Sequence, residues 1–220
     1  QGFYSGQVAE KILKESRKGG GLIQQEDLLN IKPVFRTALK GQLDQFELLG
    51  MPPPSSGGIA MIEILNILES WFTKNPDHDW NNFSMNEPDS LFLLVEAMKY
   101  AYADRASYLG DPDFVNLPVE KILSRAHALS IADKIQINQT KNWKEYGSVI
   151  PVNDSGTSHI SVIDSAGNAV ACTETINTHF GSYVVVPEYG IVLNNEMDDF
   201  TSDPGKPNAF GLIQSEANQI

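Results

Sequence analysis

Thr157 follows Gly156 and opens an alternating run, Thr157-Ser158-His159-Ile160-Ser161-Val162-Ile163. A small flexible residue thus precedes a hydroxyl residue at the mouth of a strand. If the bond before Thr157 is broken, Thr157 gains a free α-amine beside its hydroxyl. One residue then carries both nucleophile and base. The same step also serves as an ordinary loop-to-strand junction, so its meaning rests on its neighbours.

Those neighbours are polar. Thr175 and Asn177 are two residues apart, and on one strand their side chains share a face. Thr175 can then bond toward a neighbouring strand end while Asn177 lines the same pocket. The plain alternative is that Thr is a good strand residue and Asn a good turn residue. Asn194-Asn195-Glu196-Met197-Asp198-Asp199-Phe200 sets three carboxylates and two amides behind the apolar strand Ile191-Val192-Leu193. A rigidly held strand end of this kind can bind a cation, and it can equally be a solvated turn. His159 is either a base near Thr157 or a packed, hydrogen-bonded histidine. Ser55-Ser56-Gly57-Gly58 opens a helix and can receive an anion or simply cap and pack it. Glu96, Lys99, Asp104 and Arg105 read as surface or inter-helix pairs.

Composition bounds these readings. At 220 residues the chain can bury a real core in one or two domains. The net charge of −12 disfavours nucleic acid or an anionic membrane as partner. No run of about eighteen apolar residues is present, so no transmembrane helix is expected. Cys172 is the single cysteine, which excludes an intrachain disulfide, and its apolar setting predicts a buried thiol. The histidines 78, 127, 159 and 179 show no metal-ligand spacing, so no metal is expected. Gln1-Gly2-Phe3-Tyr4 carries neither initiator Met nor signal peptide and reads as the interior of a longer protein.

The elements that must position these residues change period at Thr157. Val8, Ile12 and Leu13 predict a short helix ended by Gly19-Gly20-Gly21, with one further turn at 25–29. Residues 34–49 suit two strands around Lys40-Gly41, and Met51-Pro52-Pro53-Pro54 should be extended. A helix follows from Ser55 or Ser56, then a polar loop over 72–88. A long helix capped by Asp89 or Ser90 stops at Gly110-Asp111-Pro112. A third helix is expected over 118–137, and a surface connection over 141–155. Beyond it, Thr157 to Ile163 and Ala169 to Ile176 form a hairpin around Asp164-Ser165-Ala166-Gly167-Asn168. The chain is helix-rich before Thr157 and strand-rich after it.

Several longer motifs resemble the gamma-glutamyltranspeptidase family. They are Met51-Pro52-Pro53-Pro54-Ser55-Ser56-Gly57-Gly58, Tyr100-Ala101-Tyr102-Ala103-Asp104-Arg105, Leu109-Gly110-Asp111-Pro112-Asp113-Phe114 and Leu193-Asn194-Asn195-Glu196-Met197-Asp198-Asp199-Phe200. Gly156-Thr157-Ser158-His159 fits that family's processing site, and the likeness runs from Gly2 to Asn218. The resemblance implies an α+β fold, an incomplete four-layer αββα sandwich of the N-terminal nucleophile hydrolase type. It implies two portions, 1–156 of the large subunit and 157–220 of the small, together one structural domain. Thr157 becomes the nucleophile and Thr175 the residue that positions its hydroxyl. Asn177, Glu196 and Asp199 become the holders of the substrate's α-amino end, Asp199 through a charge-assisted contact.

The implied reaction is self-cleavage between Gly156 and Thr157, then acyl transfer through a threonine ester. Glutathione and other γ-glutamyl compounds are the expected donors, with amino acids, peptides or water as acceptors and no cofactor. The family's carboxylate-binding arginine, its later serine pair and its oxyanion glycines have no counterpart between Gln1 and Ile220. The resemblance therefore implies a central segment that needs the missing segments of its parent chain, uncleaved and inactive alone. Phe210 stands in a lid-like segment where a tyrosine is usual. A periplasmic, secreted or membrane-anchored parent is expected. The rivals are a cephalosporin or glutaryl acylase of the same fold, and a non-catalytic module.

Overall fold

The computed structural model describes residues 2–78, 80–147, 157–200 and 206. They fall into two compact units. One comes from the described residues of Gln1–Phe35 and Asn153–Phe200, the other from those of Arg36–Val152 and Thr201–Ile220. This division by contact differs from the division of the sequence at 156/157. The 141–155 connection lies partly, and Gly156 and Phe210 lie wholly, outside the described residues.

The second unit is helical. After α1 (Gln7–Lys18) and α2 (Gln25–Asn30) of the other unit come β1 (Leu39–Leu43), β2 (Phe46–Gly50), α3 (Gly57–Lys74), α4 (Pro88–Tyr108), α5 (Val119–Ile122) and α6 (Arg125–Ala132). Helical spacing explains the core. Ile59, Ile62, Ile67, Leu68 and Trp71 are buried round most of α3, and Leu93, Ala97 and Tyr100 share one side of α4. These residues meet Ala128, Ile131 and Ala132 of α6, except that Ile59 and Ile62 lie outside that cluster; Ile59 packs with Leu109 and Ile122. No described helix is long and apolar enough to cross a membrane.

The N-terminus of α3 is built for packing. A Cβ on Gly58 would lie 2.4 Å from the Met51 carbonyl oxygen, so only glycine lets the two backbones approach. Ser56 precedes the helix, but its Oγ accepts from Arg105 Nε at 2.8 Å and makes no cap bond. The capping and packing alternative for Ser55–Gly58 is therefore half right: packing, without the side-chain cap.

Several boundaries move. The β1–β2 turn lies at Asp44-Gln45, not Lys40-Gly41, and pairs Leu39 with Gly50 and Leu43 with Phe46. The proline run holds a turn at Pro53-Pro54, joined by a cis bond, and is not extended throughout. Glu87 is the N-cap of α4, with Pro88 in the first turn. The helix expected over 118–137 is broken, because the Ser124 hydroxyl accepts from the His127 amide at 3.2 Å and starts α6. Residues 75–87 are more than a polar loop. Trp80 and Phe83 stack at 5.5 Å and pack on the core.

Glu96 is buried, not a surface residue. It accepts from Lys99 Nζ at 2.6 Å, from Thr140 Oγ1 at 2.9 Å and from the Tyr146 hydroxyl. Burial pushes its carboxyl up, but the donors Lys99, Tyr146 and Thr140 outweigh burial and hold it below the ordinary carboxylate value of 4.5. A carboxylate whose folded value is lowered contributes stability above its unfolded value, and that stability is lost as pH falls through the folded value. Glu96→Ala should therefore destabilise this unit by about 2 kcal/mol at neutral pH, because it removes the shared acceptor of Lys99, Thr140 and the buried Tyr146 hydroxyl. Urea titrations should show the gap from wild type closing in strong acid. A gap of the same size at both pH values would mean that packing, not the charge, is what Glu96 supplies.

The first unit holds α1, α2 and two ladders. β3 (Thr157–Ile163) pairs antiparallel with β4 (Ala169–Thr175), and β5 (Val185–Val186) with β6 (Ile191–Val192). On α1, Ala9, Ile12 and Leu13 are buried and Lys11 donates to Glu188 Oε1 at 2.9 Å. The α+β class is as expected. Among the described residues the strands form three separate two-stranded ladders. Every residue of β3 and β4 is exposed. Cys172 is exposed with them, which corrects the buried thiol expected from its apolar neighbours.

Candidate functional site

The β3–β4 ladder places Thr157 directly opposite Thr175. Directly paired residues hold their Cβ atoms about 4.5–5.5 Å apart, within reach of two hydroxyls. The partner of Thr157 is fixed by the Asp164–Asn168 turn. Asp164 Oδ1 accepts from the amides of Ala166 at 2.9 Å and Asn168 at 2.8 Å, and its Oδ2 accepts from Asn168 Nδ2 at 2.8 Å. Those bonds, the Asn168 side chain first, hold the Asp164 carboxyl below its ordinary range.

Thr175 and Asn177 do not share a strand face. β4 ends at Thr175, and Asn177 turns left-handed with φ +74. Asn is among the few residues that tolerate this region. The two are joined differently: the Asn177 amide donates to Thr175 Oγ1 at 2.9 Å. The Asn177 side chain is buried and its Nδ2 donates to the Asn195 carbonyl at 3.0 Å. Asn195 returns the link, donating its amide to the Ile176 carbonyl at 3.4 Å. Its Oδ1 accepts from the amide and hydroxyl of Thr178 at 3.2 and 3.1 Å. A connected path thus runs from Thr157 through Thr175 and Asn177 to Asn195.

The acidic segment follows at once. Glu196–Asp199 form a single 3₁₀ turn, with the Glu196 amide donating to Asn194 Oδ1 at 3.0 Å. Glu196 Oε1 is buried and receives no hydrogen bond from any described residue. Burial first, and the charge of Asp199 second, push the Glu196 carboxyl up. A buried carboxylate oxygen without a donor, beside a second carboxylate, suits an ammonium group that supplies both charge and donors. His159 is occupied elsewhere. Its Nδ1 lies 2.7 Å from Thr173 Oγ1 and its Nε2 3.1 Å from Ser161 Oγ, so it is hydrogen-bonded, as one alternative had it, but exposed rather than packed.

The structure therefore joins Thr157, Thr175 and Asn177 and places Glu196 directly after their last link. Asp199 closes the same 3₁₀ turn. Thr178 carries no signal in the sequence, and Asn195 stands there only as one of two amides in the acidic segment. An Asn beside a carboxylate cluster reads as turn composition, and only the fold shows that it ties two segments together.

Residues 1–220 match the family model described as gamma-glutamyltranspeptidase. The chain is 47% identical over 220 residues to the glutathione hydrolase proenzyme of Escherichia coli K12, covering 99% of this chain and 37% of that relative. It therefore spans little more than a third of that relative's length. Among solved structures, it resembles Helicobacter pylori gamma-glutamyltranspeptidase with a TM-score of 0.59 and 38% identity, over 66% of this chain and 39% of that one. It also resembles a cephalosporin acylase from Bacillus halodurans with a TM-score of 0.72 and 25% identity, over 97% of this chain and 37% of that one. With the family model matched from end to end, and motif and fold in agreement, the chain belongs to the gamma-glutamyltranspeptidase family.

Proposed function

We propose that this chain is the central part of an enzyme that transfers γ-glutamyl groups from glutathione and related amides to water, amino acids or peptides. In this reading Thr157 Oγ attacks the Gly156 carbonyl, the C–N bond breaks as the ester forms and frees the Thr157 amine, and water then hydrolyses the ester to restore the Thr157 hydroxyl and leave a Gly156 carboxylate. The same hydroxyl then attacks the substrate's γ-carbonyl. The α-amine takes the hydroxyl proton and passes it to the leaving amine, and the γ-glutamyl ester goes on to the acceptor. Thr175, opposite Thr157 in the ladder, orients the hydroxyl. Asn177, Glu196 and Asp199 hold the α-ammonium. Residues 1–156 then contribute to the large subunit and 157–220 to the small. A parent exported to the periplasm or the cell exterior belongs to the same reading.

The observation that carries it is the unpartnered Glu196 Oε1 beside Asp199, one residue beyond the Asn177–Asn195 link. An acylase that accepts a glutaryl group, which lacks the α-amine, has no use for that pair. The test compares γ-glutamyl and glutaryl anilides in the whole protein. Wild type should prefer the γ-glutamyl substrate, and Glu196→Ala should lower that preference about 30-fold or more, mostly through KM, as expected for a desolvated charge contact. Equal turnover of the two anilides by wild type would favour the acylase reading.

A further inference from the structure

The helical unit contains a second cluster that the acyl-transfer reading does not use. Glu63 lies on the buried side of α3, one turn from both Ile59 and Ile67, and is 1% exposed. A hydrophobic side chain would ordinarily stand there. Its Oε1 receives no hydrogen bond from any described residue. Asp104 of α4 and His127 of α6 face it. His127 Nε2 is 2.6 Å from Asp104 Oδ2 and 3.4 Å from Glu63 Oε1. The three potential ligand atoms all lie within 4.8 Å of one another.

From this geometry we propose that Glu63, Asp104 and His127 form a binding site for a divalent transition-metal ion of the zinc class, clamping α3, α4 and α6 together. Two carboxylates and one imidazole are an oxygen and nitrogen donor set that zinc accepts. A doubly charged ion also cancels the two carboxylate charges, which a buried pair otherwise cannot leave uncompensated. Metal–ligand bonds of about 2.0–2.2 Å in a tetrahedron set the donor atoms about 3.4 Å apart. The Glu63–His127 separation of 3.4 Å already meets this. The Asp104–His127 separation of 2.6 Å needs to open by less than an ångström. Asp104 and His127 side chains are each 19% exposed, which gives the ion a route in and water a fourth position.

The backbone supports the arrangement. His127 is anchored at the start of α6 by the Ser124 cap, so its ring is held in the first turn. Asp104 is followed by Arg105, whose bond to Ser56 ties α4 to the start of α3. In the metal-free cluster, burial first and Asp104 second push the Glu63 carboxyl up to about 9. The site is independent of the Thr157 chemistry and stands or falls apart from it.

The test uses the full chain after dialysis against a chelator. Addition of Zn²⁺ should raise the melting temperature by about 5 °C at saturation, with one ion bound per chain by titration calorimetry. Co²⁺ should give the visible absorption of a four-coordinate nitrogen and oxygen site. Glu63→Gln and His127→Gln nearly keep side-chain volume, and each should weaken Zn²⁺ binding at least tenfold while circular dichroism shows the helices intact. Equal Zn²⁺ shifts in wild type and both variants would overturn the proposal, placing the ion on the acidic surface. So would no shift in wild type together with a metal-free Glu63→Gln more stable than wild type, since the three residues would then only share a proton.

Discussion

Replacing Thr157 by alanine in the whole protein should leave a single uncut polypeptide and abolish γ-glutamyl anilide hydrolysis, by about 10⁵–10⁶-fold. Both losses follow from one atom. In the proposed reaction the Oγ that attacks the Gly156 carbonyl is the Oγ that later attacks the substrate, and the amine that serves as base exists only after the first attack. Mass spectrometry reads the first loss and anilide release the second. Thr157→Ser keeps the hydroxyl and should still cut, more slowly, because serine lacks the methyl that restricts χ1 of threonine on a strand. The unchanged ladder partner Thr175 keeps the site's frame in both variants. If Thr157→Ala still yields two pieces meeting at residue 157, another residue performs the cut and the proposed roles around Thr157 fail together.

Gly181→Ala should be nearly as damaging although it carries no functional group. Gly181 has φ +49, and a Cβ there would lie 2.2 Å from the Leu193 carbonyl oxygen and 3.1 Å from Asn194 Cα. Backbone, not a flexible side chain, occupies the space. That oxygen accepts from the Ser182 amide at 2.9 Å, and the Gly181 carbonyl accepts from Thr178 Oγ1 at 2.8 Å. Alanine must push 193–194 away, and Asn195 moves with them. The expected cost is about 3 kcal/mol or more of stability, from left-handed strain together with the clash. A displacement of about 1 Å between Asn177 and Glu196 should also cost about 100-fold in kcat/KM. Thermal unfolding and steady-state kinetics on the same preparation separate the two effects. A variant as stable and as active as wild type would show that 178–182 does not brace the acidic turn.

The β3–β4 hairpin was legible because two signals agree there: alternating side chains and a turn rich in Asp, Gly and Asn. Helices α1, α3 and α4 were legible from apolar spacing and from their end signals. Gly41 misled because Lys-Gly reads as a turn. Its real constraint is tertiary, since a Cβ there would sit 2.9 Å from Ile62, while Asp44 takes the left-handed position with φ +50. Trp80 and Phe83 were hidden by polar neighbours. Cys172 was misjudged because apolar neighbours predict burial only where a second layer covers them. Residue types marked Thr157, Thr175, Asn177, Glu196 and Asp199 as candidates, and the family resemblance gave each its proposed role. The left-handed Asn177 and the bridging Asn195 depend on contacts between distant segments, which spacing along the chain does not encode. The same holds for Glu63, Asp104 and His127. They come from three helices, so their sequence separations carry no ligand pattern.

The Asp164 turn acts as a length gauge for residues it never touches. Counting inward from it, six steps along each strand bring Thr157 and Thr175 face to face. A side chain in a ladder changes sides with every residue, so one added or deleted residue in that turn would set Glu174 or Ile176 opposite Thr157 and point Thr175 the other way. Surface turns usually accept insertions freely. This one should reject them, and lineages of the family should vary the chemistry of 165–167 while conserving the count.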